Sequence, residues 1–119
     1  MNLLDFTHSF LQSLVFTTAV ETATILIVIR KIFKKSTRDV SIQKLIGIGI
    51  FASFATLPYV WYVFPSLLQP FSSAILVGEI FAVVVEAVFY VIVFPLTKKQ
   101  ALILSLIANV ASYTLGKLI

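Results

Sequence analysis

Four apolar runs, Phe10–Phe33, Ile42–Phe64, Phe71–Phe94 and Ala101–Ile119, dominate this chain, each separated from the next by a short polar or proline-bearing break. About 20 apolar residues in helical form cross the roughly 30 Å of a bilayer's hydrocarbon, so each run is long enough to span. The continuous runs argue against a small barrel, which needs short segments of alternating polarity. The breaks read KKSTRDVS, PSLLQP and PLTKKQ. Ser41 is placed to cap the second helix, and Thr97 with Gln100 to form a capping box at the fourth. The expected fold is an all-α integral membrane protein with four transmembrane helices.

With 60% hydrophobic and 12% charged residues among 119, the chain has too few polar groups to cover a soluble core. Its length allows one domain, 1–119. It has no cysteine, which removes disulfides, thiol catalysis and cysteine-bound metal. The formal net charge of +4 does not call for nucleic acid as a partner, because the basic residues gather at helix ends. Arg30, Lys31, Lys34, Lys35, Arg38, Lys44, Lys98 and Lys99 flank the first and third connections, and the second carries no charge. The positive-inside bias then puts both termini outside and the basic loops in the cytoplasm, with the cell membrane as the expected location. KIFKKSTRDVSIQK also has the charge to meet anionic headgroups. Trp61, Tyr59 and Tyr62 fall at the outer interface. MNLLDFTHSF lacks the basic start and cleavage site of a signal peptide, and reads as the beginning of a retained span.

The halves resemble each other, repeat 1 covering about 10–64 and repeat 2 about 71–119. Val20-Glu21-Thr22-Ala23 aligns with Val85-Glu86-Ala87-Val88, and Ala52-Ser53-Phe54-Ala55-Thr56 with Ala108-Asn109-Val110-Ala111-Ser112. Two hairpins entering the membrane in the same sense make a parallel repeat about an axis along the membrane normal. That axis brings Glu21 and Glu86 toward one centre. Their distances in sequence from the basic ends, like those of Ser53 and Asn109, set all four near mid-bilayer, about 13–15 Å deep.

Polar residues also form stripes. Gly49, Ser53 and Thr56 fall at i, i+4, i+7, as do Ser105, Asn109 and Ser112, and Thr17, Glu21 and Thr24. Small residues at this spacing suit close helix packing and hydrogen bonds between helices; Gly47 and Gly49 are expected to serve close approach. The acids demand more. An aspartate at mid-span costs about 2.5–3.5 kcal/mol on insertion, with glutamate similar, and this chain carries Glu21, Glu79 and Glu86 in its spans. Glu79 and Glu86 share a face with Tyr90, which marks the inward side of the third helix. Pro58 is expected to kink the outer part of the second helix, and Pro95 to end the third.

Carboxyl and amide oxygens converging at mid-depth suit a proton or a hard cation. The expected ion- or substrate-binding set is Glu21, Glu79, Glu86, Asn109 and Ser53, with no cofactor and no metal centre. Asp5 and His8 are expected at the outer mouth. The leading functional class is a small transporter or channel component handling a proton, cation or small polar solute. The alternatives are a non-catalytic membrane partner subunit or assembly factor with structural glutamates, and a lipid- or amphiphile-binding protein. No nucleotide loop, paired-histidine metal motif or nucleophile elbow suggests an enzyme. Besides the bilayer, the expected partner is a second copy of the chain, as a homo-oligomer, or another membrane subunit. In size and span number the chain resembles the small multidrug resistance transporters, which also carry a glutamate in the first helix, here Glu21. That resemblance covers architecture alone, and no residue role is carried over.

Overall fold

The computed structural model describes residues 2–118, which are helical with no strand among them. Four helices run Leu3–Ile32 (α1), Ile42–Leu67 (α2), Phe71–Val93 (α3) and Lys98–Lys117 (α4). Each start except that of α3 carries a side-chain cap satisfying an otherwise orphaned backbone N–H. Asn2 Oδ1 accepts from the Asp5 amide at 2.8 Å, which lets α1 begin at Leu3, ahead of its apolar run. Ser41 Oγ accepts from the Lys44 amide at 3.2 Å. Thr97 and Gln100 make the expected capping box, each side chain 3.1 Å from the other's backbone nitrogen.

α2 does not end at its prolines. Pro58 lacks an N–H and cannot bond to the carbonyl one turn earlier, and the following turn, Tyr59–Val63, widens into a π-helix before α-geometry resumes at Phe64–Leu67. Pro65 lies in the first turn of that last segment, where its missing donor is not needed. The expected kink is thus absorbed as a change of hydrogen-bond register, and the helix outruns the predicted Phe64 boundary.

α1 ends in a second π-turn, Val28–Ile32, and the chain reverses through Lys34 at φ 57°. The Arg30 guanidinium latches the loop, donating to the carbonyls of Lys35 (3.0 Å), Ser36 (2.9 Å) and Val40 (2.6 Å). Asp39 accepts from the Ser36 amide at 2.9 Å and its hydroxyl at 3.2 Å, and these bonds hold its carboxyl below its ordinary value of 3.8. Arg30→Ala should remove three charge-assisted bonds at once and leave the helices in place. We expect amide exchange across Lys35–Val40 to rise about tenfold or more, since one such bond contributes about 1.5–3 kcal/mol.

α1 packs along α2 and α4, and α3 along α4 and α2, which sets α1 and α3 at opposite corners of a bundle 47 × 23 × 22 Å. Eight of the nine basic residues lie at or near the end holding the 33–41 and 94–97 connections, hereafter the basic end. Just inside it, Ile25, Ile29, Leu45, Tyr90, Phe94 and Leu104 pack into a dense apolar core. The rest of the bundle turns polar within and stays apolar without: Ile80 is 56% exposed and Glu86 0%. Three helices, α1 to α3, are long and apolar enough to cross a membrane. α4 falls short of the same measure among its described residues, because Lys98, Lys99, Gln100, Ser105, Asn109, Ser112 and Lys117 dilute its apolar positions.

Candidate functional site

The inward face of α3 sets the site. Its buried residues are Ala74, Gly78, Ala82, Glu86 and Tyr90, one per turn. The first three are too small to fill the bundle's centre, and Glu86 and Tyr90 fill it below them. Gly78 also admits Val60 of α2, which would lie 3.3 Å from an added Cβ. What remains above Glu86 is a cavity of about 340 Å³ extending toward the end opposite the basic one. Phe6, Phe16, Trp61, Phe71 and Tyr113 are the aromatic part of its walls, and edge-on contacts of Phe6 and Phe10 with Trp61 and Tyr62 brace the mouth. Lys117 stands at the rim, its Nζ 4.9 Å from the centre of the Tyr113 ring. Glu79, Thr17 and Ser112 line the sides, and Glu21, Thr56 and Asn109 the deep part.

Glu21 and Glu86 meet here at hydrogen-bonding distance, side chain to side chain. Both are almost wholly enclosed, 1% and 0% exposed. Ser53 Oγ donates to Glu21 Oε2 at 3.0 Å. Asn109 Nδ2 donates to Glu86 Oε1 at 2.5 Å and also lies 2.8 Å from the Ser105 carbonyl. Thr56 Oγ1 is 3.0 Å from Glu86 Oε2 and 2.9 Å from the Ala52 carbonyl. Ser105 Oγ reaches the Val83 carbonyl at 2.6 Å, tying α4 to α3. Two carboxyls in contact repel when both are charged and attract only with a proton between them.

Four of the five expected site residues, Glu21, Glu86, Asn109 and Ser53, therefore converge. Glu79 stands apart from them, partly buried in the cavity wall. Ser53 and Asn109, the positions that the sequence repeat pairs, each donate to the glutamate of their own hairpin. Thr56, expected as a packing residue, holds Glu86 directly; its signal was the i+3 step from Ser53, which keeps it on the same face. Tyr90 was expected on this face, and its buried hydroxyl has no hydrogen-bond partner among the described residues.

Two expectations fail. His8 is at the right end but on the outer flank of α1, in a groove with Leu4, Leu11 and Val15 and away from the cavity. Gly47 makes no close approach, for nothing lies within 4 Å of where its Cβ would be. Gly49 does: an added Cβ would collide with the Thr22 hydroxyl and lie 3.2 Å from the Thr22 Cα.

No protein-family model matches the sequence, and no curated protein or solved structure shows significant similarity to it.

Proposed function

We propose that this is a small integral membrane transporter or channel component in which the Glu21–Glu86 pair exchanges a proton for a cation or small polar solute. In this reading all four helices cross the bilayer, the basic end faces the cytoplasm and the cavity opens outward. The observation that carries it is the pairing of a one-sided cavity with two facing glutamates at its depth. A solute entering from the aromatic end would reach Glu21, while the apolar core around Tyr90 and Phe94 blocks the other end. Passage would require that core to part, giving access to one side at a time. The matched donations from Ser53 and Asn109 support two parallel hairpins related by an internal twofold. One chain encloses the acids by itself, so a homo-oligomer in this scheme assembles transport units and does not shield the site.

The test is flux in liposomes holding a pH-sensitive dye, driven by gradients of Na⁺, K⁺ or methylammonium. Wild type should couple one of these gradients to proton movement, and Glu21→Gln should reduce that movement at least tenfold with the protein still folded. Retained flux with only a lower melting temperature would make the acids a structural knot, as expected of a partner subunit or assembly factor. Such a subunit would also leave native membranes with a stoichiometric companion.

A further inference from the structure

Resting on the proposed exchange, the geometry points to an unequal pair: Glu21 trades its proton with the cavity, and Glu86 is a positioning residue that keeps its own proton and donates it to Glu21. The two acids occupy equivalent places in the repeat, yet their surroundings differ. Glu21 lines the cavity and Glu86 does not. Glu86 is bonded on both oxygens, by Asn109 at Oε1 and Thr56 at Oε2. Thr56 has one hydroxyl hydrogen and two oxygens in reach, Ala52 O at 2.9 Å and Glu86 Oε2 at 3.0 Å. A proton on Glu86 lessens this shortage, because a neutral carboxyl accepts more weakly than a carboxylate, so the threonine hydrogen can go to the Ala52 carbonyl while the Glu86 hydrogen goes to Glu21.

The repeat is broken at the matching position around Glu21. Ser112 aligns with Thr56, but its hydroxyl donates to the Asn109 carbonyl at 3.2 Å and lines the cavity. Where Glu86 has a threonine, Glu21 has open space, into which an entering donor can move. The other ionisable groups near Glu21 are Glu79 in the cavity wall, Tyr90 beyond Glu86, and Tyr113 and Lys117 toward the rim; α2 contributes no charge on this face.

A neutral carbodiimide separates the two acids without requiring transport. A protonated carboxyl passes its proton to a carbodiimide nitrogen as its oxygen adds to the central carbon, and rearrangement to the N-acylurea leaves the whole reagent on that residue. Dicyclohexylcarbodiimide treatment of the reconstituted protein, read by peptide mass spectrometry, should label Glu21 in wild type. Glu21→Gln should lose that label at least tenfold with none appearing on Glu86. In the flux assay Glu86→Gln, which still offers an N–H to Glu21 and an oxygen to Asn109, should fall only about threefold, whereas Glu86→Ala should fall at least tenfold. Label on Glu86 in wild type, no label on Glu21, or Glu86→Gln as inactive as Glu21→Gln would each overturn the assignment. If wild type moves none of the tested ions the exchange reading fails, and the labelling pattern still decides whether the pair is unequal.

Discussion

Gly49→Leu is expected to lower the unfolding free energy by about 3 kcal/mol, the upper part of the range for overpacking a tight contact. α1 and α2 approach closely where Gly49 meets Thr22, and an added Cβ would overlap the Thr22 hydroxyl and lie 3.0 Å from its Cβ. The hydroxyl can rotate away, but the Thr22 backbone, with Cα at 3.2 Å, cannot. Relief therefore requires the helices to separate. Separation would pull Ser53, one turn further along α2, away from Glu21, so the damage extends to the site. Gly47→Leu on the same helix is the control: with nothing within 4 Å of its Cβ, it should change stability by no more than about 0.5 kcal/mol. Denaturant titration in micelles measures both. A cycle of Gly49→Ala with Thr22→Gly should show positive coupling, because removing the Thr22 side chain makes room for the new methyl.

The contrast between these glycines shows how much of the structure was legible in sequence. Two residues apart on a helix means about 200° of rotation, so both cannot face one neighbour. The i, i+4, i+7 stripe through Gly49, Ser53 and Thr56 already singled out the first. The same periodicity brought Glu21, Ser53, Glu86 and Asn109 together on paper, because residues too polar for an apolar exterior must face one another. Caps were legible for a similar reason: Ser41 and Thr97 supply acceptors where helices leave donors unpaired. Features fixed by volume and neighbours were not. Glu79 and Glu86 share a face, yet one borders space and the other is sealed in, a difference made by Ala74, Gly78 and Ala82 above and Tyr90 below. Nor does a proline say whether a helix will stop. At Pro58 the π-turn rearranges the backbone bonds locally, and α2 goes on to Leu67.

Asn109→Leu should cost about 2–3 kcal/mol, and Ser53→Ala less than about 1 kcal/mol, although the two residues hold equivalent places in the repeat. Each removes a hydrogen-bond donor from a glutamate, so any difference must come from what replaces it. At Glu21 the cavity lies alongside, and water can take over from the Ser53 hydroxyl. Glu86 is 0% exposed and off the cavity wall, and leucine would occupy the place of the Asn109 amide, so the oxygen is left unsatisfied with no room for water beside it. The Ser105 carbonyl loses the Asn109 amide as well. Adding Glu86→Leu to Asn109→Leu should recover at least half the loss, because an apolar pair of similar volume has no polar group left unmatched at that contact. That recovery in stability should come without recovery of flux, since Glu21 then has no partner to donate to it. Equal losses for Asn109→Leu and Ser53→Ala would mean that water reaches both acids alike, and the sealed environment assigned to Glu86 would be wrong.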